Sequence, residues 1–272
     1  MERYPNIGDH GLIGDLHTTA LVATDGTIDF FCCPRFDSPS VFASLLDAEK
    51  GGHFRVCPVA DSYVSKQLYF PNTAMLITRF MTPDGVGEVL DFMPVIRGQP
   101  DSRPRLVRYL RVARGTMEFR IDIQPRFDYG RARHAVEVTE PGATFRGTDG
   151  TELTFHSTPP ASTADGGPAD TKQVDGGLRS FISMREGDAG RGVILEYGGG
   201  LPRAVMTAEL QQLADQTAGF WKSWLARSTY TGRWRETVLR SAMTLRLLTY
   251  EPTGAPVAAA TFGLPELAGG ER

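Results

Sequence analysis

From residue 7 to about residue 201 the sequence is a succession of short strand-like runs broken by glycine, proline and aspartate turns. Turn signals at that spacing are those of a β-sandwich or barrel, so the fold class expected is mainly β, with a large antiparallel sandwich. Residues 19–23, 27–33, 52–56 and 74–81 each read as strands, and Asp25-Gly26 offers a tight turn between the first two. A hairpin is expected at Pro83-Asp84-Gly85, where proline presets its own φ and glycine accepts a positive one; it joins strand 76–82 to strand 86–93. Further strands are expected at 106–113, 117–124, 134–139, 152–157, 178–184 and 192–197. Residues 157–177, rich in Ser, Thr, Pro, Gly, Ala and Asp, show no periodicity and read as one long connection.

After Leu201 the period changes. Leu210, Leu213, Thr217, Phe220, Trp221 and Trp224 recur every three or four residues, which predicts an amphipathic helix with Thr207 as its N-cap. A second helix is predicted from Trp234, Val238, Leu239, Ala242, Leu245 and Leu248, stopped at Glu251-Pro252-Thr253-Gly254. Nearly two hundred residues of sheet seldom close on two helices and an apolar tail, so something is expected to pack there.

Composition narrows the function classes. A hydrophobic share of 41%, a charged share of 22% and a net charge of -3 describe an ordinary globular protein, and lysine and arginine form no run, which argues against a nucleic-acid partner. No long apolar stretch predicts a membrane span, and residues 1–14 show no secretory leader. Cys32, Cys33 and Cys57 are odd in number with two adjacent, which suits neither a disulfide framework nor a zinc site; they read as reduced and structural, with a cytoplasmic location.

A search for chemistry within the chain finds no phosphate loop, dinucleotide fingerprint or nucleophile elbow. His10 and His17 read as structural, since a metal site needs more donors; no metal and no cofactor is expected. Aspartates such as Asp9, Asp15, Asp25, Asp29, Asp37, Asp47, Asp91 and Asp128 are candidates for acid–base work by type, but most neighbour glycine, proline or serine and read as turn caps. The tetrapeptide Pro34-Arg35-Phe36-Asp37 reappears as Pro125-Arg126-Phe127-Asp128, which predicts a similar strand exit with arginine pairing aspartate over a packed phenylalanine.

Longer motifs carry more. Ile7-Gly8-Asp9-His10-Gly11-Leu12-Ile13-Gly14, then residues 20–29, then Cys33-Pro34-Arg35-Phe36-Asp37-Ser38-Pro39-Ser40-Val41-Phe42, resemble the start of glycoside hydrolases of family 15, the bacterial glucoamylase and trehalase-like kind. Asp91-Phe92-Met93-Pro94, Gln124-Pro125-Arg126-Phe127-Asp128-Tyr129-Gly130 and residues 221–270 continue the likeness in order. The resemblance implies a sandwich over 1–203, a helical linker over 204–231 and, over 232–272, the start of an (α/α)6 barrel left incomplete, with 233–250 as its first helix. It implies further that the two catalytic glutamates are missing from this chain, so no catalytic residue is assigned and the chain alone is expected to be inactive.

Under the resemblance, the segment Gly263 to Arg272 leads toward a substrate motif, which makes Leu264, Pro265 and Glu266 substrate-proximal; Arg35 and Asp37 are placed at the rim. Phe262-Gly263 departs from the threonine-serine pair expected there. The implied parent inverts α-glucosidic bonds, one carboxylic acid protonating the leaving oxygen while a carboxylate activates water. The implied partners are the downstream barrel and an α-glucoside, with self-association through the uncovered barrel helix. The alternative is a stand-alone, non-catalytic carbohydrate-binding or interaction module. A third reading places catalysis on sandwich carboxylates such as Asp37 and Asp128.

Overall fold

A computed structural model describes residues 4–96, 103–159, 171–262 and 264, and the chain is mainly β, as expected. Its strands are β1 (His10–Gly14), β2 (Thr19–Ala23), β3 (Thr27–Cys32), β4 (Ser40–Phe42), β5 (His53–Pro58), β6 (Val64–Tyr69), β7 (Leu76–Thr82) and β8 (Gly85–Phe92). Then come the long β9 (Arg105–Gln124), β10 (His134–Thr139), β11 (Gly142–Gly147), β12 (Glu152–Ser157), β13 (Lys172–Val174), β14 (Gly177–Arg185) and β15 (Arg191–Tyr197). Two helices follow, α1 (Thr207–Leu225) and α2 (Arg235–Leu247), and a minimal hairpin of β16 (Thr249–Tyr250) and β17 (Ala255–Pro256).

The two expected strands at 106–113 and 117–124 are one. Residues 105–115 of β9 lie between β8 and β15, and residues 116–124 lie between β5 and β14, all antiparallel. Arg114-Gly115-Thr116 resembles a turn in sequence, but ladder partners on both sides carry the strand through it and from one sheet into the other. The first sheet is β1-β2-β3-β5-β9 with β14 beyond; the second runs from β10 through β11, β12 and β15 to β9, then β8, β7 and β6. Between them lies the core, with Phe42, Phe54, Phe80, Phe119, Phe145 and Phe155 almost wholly excluded from water. Burying each such ring contributes about 1.5–3 kcal/mol.

One polar side chain crosses that core. Arg108, fully buried on β9, donates through Nε to Asp91 Oδ1 at 2.8 Å and through Nη1 and Nη2 to the carbonyls of Phe54 and Gly26, each at 2.6 Å. Gly26 serves the Asp25-Gly26 turn as expected, with φ at +84°, and a Cβ there would collide with Val56 O. Gly85 has a different reason from the one expected: it opens β8 without a positive φ, and it is glycine because the Arg114 and Thr116 carbonyls leave no room for a Cβ.

Five of the strands from β1 to β15 escape the sequence reading, β1 among them. β6 alternates between exposed and half-buried positions at a sheet edge, β4 has three residues, and β11 carries Gly142 and Gly147 at its ends. β13 lies inside the supposed connection 157–177, paired with β14; residues 160–170 of that span lie outside the described residues.

Helix α1 covers the outside of the second sheet, and α2 packs against α1 and β1 of the first. Leu210, Leu213 and Ala218 of α1 pack on Met75, Phe92, Val107, Tyr109 and Ile194. Trp221 and Leu225 continue the same stripe into a cluster with Leu16, Ala74, Val95 and the α2 residues Leu239, Met243 and Leu247. Thr207 is the first helical residue rather than the cap; Met206 holds the cap position, and Thr207 Oγ1 instead donates to Gly190 O at 2.6 Å.

The buried stripe of α2 also differs from the expected one. Leu239, Met243 and Leu247, spaced by four, face inward, whereas Trp234 and Leu245 are 60% and 68% exposed. The helix is therefore half covered by this chain, and the expectation of an apolar stripe with no cover holds only for its outer edge. No helix among the described residues is long and apolar enough to cross a membrane.

Candidate functional site

Of the residues singled out by sequence, those of loop 33–39 lie beside the residues that follow α2. Loop 33–39 follows β3, and within it Arg35 and Asp37 form a bidentate pair, Nε to Oδ1 and Nη2 to Oδ2, both 2.9 Å. Ser38 Oγ accepts from Arg35 N, and Phe36 between the pair is buried. Phe36 N donates to His17 O at 3.1 Å, and its ring meets Tyr250 edge-on at 6.4 Å. His17 approaches the same Tyr250 ring at 5.9 Å, so loop 33–39, the β1–β2 turn and the residues after α2 form one collar.

That turn is held from within. Asp15 Oδ1 accepts from His17 N at 2.9 Å and Thr18 N at 3.0 Å, while Thr18 Oγ1 donates to Cys32 O. Burial pushes the Asp15 carboxyl above its ordinary range, and the amide donors draw it partly back. Leu16 O accepts from Glu251 N at 2.9 Å, and Glu251 pairs with Arg246 at the end of α2. The helix end is thus fastened to the sandwich by backbone as well as by side chains.

Leu264 is half-buried and its amide donates to Thr261 O at 2.8 Å; it makes no hydrogen bond to Arg35 or Asp37 among the described residues. Pro265 and Glu266 lie outside the described residues. Arg35 and Asp37 have side chains 55% and 47% exposed, and an ion pair that open to water contributes about 0–1 kcal/mol. Folding therefore does not depend on the pair, which leaves its rim free for contact with hydroxyls or another polypeptide surface.

The repeated tetrapeptide keeps only part of its expected geometry. Phe127 is buried like Phe36, but Arg126 donates to the carbonyls of Pro125 and Asp175. Asp128, at φ +51°, pairs with Arg131 at 2.7 Å instead. The expected pairing of Arg126 with Asp128 is thus corrected: the left-handed backbone at Asp128 and Tyr129 turns the carboxylate along the loop. The two copies are neighbours, since Arg126 N donates to Val41 O at 2.9 Å just past the first copy.

Sequence reasoning passed over two features. One is the collar itself, where His17 and Tyr250 meet across more than two hundred residues and no local pattern signals the contact. The other is a broad polar cleft of about 1720 Å³ on the outer face of the first sheet, floored by Thr27, Asp29, His53, Arg55 and Arg120. Its signal was present in the alternation of polar residues along β3 and β5. His10, read as structural, lies near this cleft and pairs through Nε2 with Asp29 Oδ2 at 2.7 Å; the carboxylate raises its pKa.

Residues 2–157, which include β1 to β12, match the family described as trehalase-like, N-terminal. The chain is 34% identical to a trehalase of Thermoplasma volcanium, which it matches along 100% of its own length and 42% of the relative's. It is 33% identical to a trehalase of Mycolicibacterium smegmatis, over 99% of the chain and 42% of the relative. Trehalase 1 of Sulfolobus acidocaldarius is 30% identical over 96% and 41% of the respective lengths. The chain thus spans less than half the length of the curated relatives it matches, and it belongs to the trehalase-like N-terminal family.

Proposed function

We propose that this chain is the supporting domain of an inverting hydrolase of α-glucosidic bonds, a trehalase-like or glucoamylase-like member of glycoside hydrolase family 15, whose catalytic (α/α)6 barrel lies downstream. The observation that carries the reading is the end-to-end match to proteins named trehalase that are more than twice as long as this chain. In this reading residues 1–203 are the sandwich, 204–231 the linker and 232–272 the first part of the barrel, with α2 as its first helix.

The helices support the reading. A hollow of about 240 Å³ lies between the end of α1 and α2, lined by Trp224, Leu225, Arg227, Ser228, Leu239 and Ala242. Exposed Trp234 and Leu245 lie on the same helix, an apolar edge suited to further packing. The downstream barrel covers this edge, and without it the chain associates with itself there. Arg35, Asp37, Leu264, Pro265 and Glu266 then face the α-glucoside at the barrel rim; the packing of loop 33–39 on Tyr250, just past α2, supports the first two. Three free, buried cysteines support a cytoplasmic location.

The test introduces Leu245→Glu into a longer protein carrying this chain. Lost trehalose hydrolysis, with the isolated chain melting as before, is the expected result. Full activity together with an unchanged melting temperature of the longer protein would show that no barrel packs on this edge.

A further inference from the structure

His10 stands at the start of β1 with an acceptor against each ring nitrogen. Nε2 lies 2.7 Å from Asp29 Oδ2, and Nδ1 lies 3.0 Å from Asn6 O and 3.3 Å from Ile7 O. Gly11 turns into the core against Leu76, so alternation along β1 sends the His10 ring to the outer face of the first sheet, where Asp29 of β3 meets it. A neutral imidazole carries one N–H and serves only one of these two sides; the imidazolium carries two and serves both.

The surroundings favour the charged ring. The His10 side chain is 5% exposed and that of Asp29 4%, and no arginine or lysine pairs with Asp29 among the described residues. The hydrogen bond from Asp29 raises the His10 pKa against the opposing effect of burial. Neighbouring charges are turned elsewhere: Asp9 Oδ2 accepts from Asn6 Nδ2 at 3.1 Å, Asp25 pairs with Arg55 at 3.2 Å, and Asp47 Oδ1 accepts from the amides of Glu49 and Lys50. Across the ladder, β2 sets uncharged Ala23 opposite His10.

The Nδ1 proton holds the segment before β1. Residues 4–6 lead into a single 3-10 turn, Ile7–Asp9, none of whose residues is buried, and Ile7 is 90% exposed, so no apolar anchor fixes it. Its other ties to the sandwich are two: Thr24 N donates to Asp9 O at 3.0 Å, and Ala48 N donates to Tyr4 Oη at 3.4 Å. Tyr4, Pro5 and Asp9, together with Ser44 and Ala48, line the cleft on this face. When the imidazolium gives up a proton, the carboxylate, as the stronger acceptor, keeps the one on Nε2. The proton on Nδ1 passes to water, and the lone pair left behind faces two carbonyl oxygens.

We propose that residues 4–9 are a pH-operated strap over this cleft, held down while His10 carries both ring protons and released when Nδ1 loses its own. Because the folded pKa lies above the ordinary 6.5, the strap is closed below that value and opens as pH rises through the folded pKa. The device is independent of the supporting reading, because neither the helices nor loop 33–39 supply any of its bonds.

The test is an NMR titration of the isotope-labelled chain between about pH 5 and 9, the range in which imidazoles titrate. It reads the His10 ring nitrogens, the carbonyl carbons of Asn6 and Ile7, and the order parameters of residues 6–8. Nε2 is expected to stay protonated while Nδ1 loses its proton, and both carbonyl carbons to shift with the same midpoint. Order parameters are expected to fall from about 0.85 to below about 0.6 as the strap opens. His53, which lines the same cleft and whose pKa burial lowers, titrates on the other side of the ordinary value and has its own ring signals. Asp29→Asn offers Nε2 an amide donor, so the neutral ring can keep its one proton on Nδ1, and the strap is expected to stay closed as pH rises. Should that variant misfold, His10→Gln decides, and its strap signals are expected to lose the titration. Carbonyl carbons that do not follow the ring, a ring that keeps its proton on Nδ1 instead of Nε2, a strap that still opens in Asp29→Asn, or a titration that persists in His10→Gln would each overturn the proposal.

Discussion

Arg108→Met tests whether the sandwich is held by a charge pair as well as by its phenylalanines. Arg108 and Asp91 are both fully buried, and the guanidinium also lies 4.8 Å from the Phe54 ring. Removing Arg108 strands the Asp91 carboxylate, whose pKa burial already raises against the pull of Arg108. The two carbonyls that lose Arg108 are the smaller loss, since Gly26 O also accepts from Val56 N at 3.1 Å. Breaking a buried pair from one side costs about 3–5 kcal/mol, which for a chain of this size lowers the melting temperature by roughly 10 °C. An acid with a raised folded pKa takes up protons on folding, so the deficit is largest at neutral pH and shrinks as the medium is acidified toward the folded pKa of Asp91. Arg108→Met with Asp91→Leu removes both charges, and such exchanges are often close to neutral, so the double variant is expected to recover most of the loss. Urea melts of the four proteins at two pH values measure this. A single-variant loss below about 1 kcal/mol, or a double variant as unstable as the sum of the two singles, would refute the reasoning.

Tyr69 ties α2 to the sandwich, with Arg240 over its ring at 3.7 Å and its hydroxyl bonded to both backbone groups of Leu12, so Tyr69→Phe is expected to cost about 1–3 kcal/mol in urea melts. Trp221→Ala opens the cluster shared by both helices and is expected to cost about 3–5 kcal/mol, with loss of near-ultraviolet dichroism at the helices rather than of sheet signal. Burial, aided by Arg203, lowers the His156 pKa to about 4, so the group stabilises the fold above its ordinary pKa near 6.5 and that stability is lost as pH falls toward 4. His156→Gln is accordingly expected to flatten the acid limb of a melting-temperature profile over that window.

Alternation and turn chemistry carried most of the fold. Asp25-Gly26 and Pro83-Asp84 were legible because their residues act locally, and Leu210, Leu213 and Trp221 marked the buried face of α1 by spacing alone. The two halves of β9 were misjudged because Arg114-Gly115-Thr116 has the composition of a turn, and only the partners β8, β15, β5 and β14, distant in sequence, show otherwise. The α2 stripe went wrong for a related reason. Trp234 and Leu245 are more apolar than their positions require, so hydrophobicity favoured the outer edge over Met243 and Leu247, which the sandwich and α1 cover. At the site, the Arg35–Asp37 pair was readable from neighbouring residues, whereas the collar with His17 and Tyr250 and the cleft across β3, β5 and β9 arise only from tertiary contact.

The central claim is that the sandwich supports hydrolysis without performing it. Glucose release from trehalose, maltose and maltooligosaccharides by the purified chain, at high protein concentration and several pH values, beside the same assay on a protein extended past Arg272, tests it most directly. The account predicts no release by the chain and release by the extended protein. Turnover by the chain itself, surviving purification from contaminating activity and abolished by Asp37→Asn or Asp128→Asn, would contradict it and place the chemistry on the sandwich.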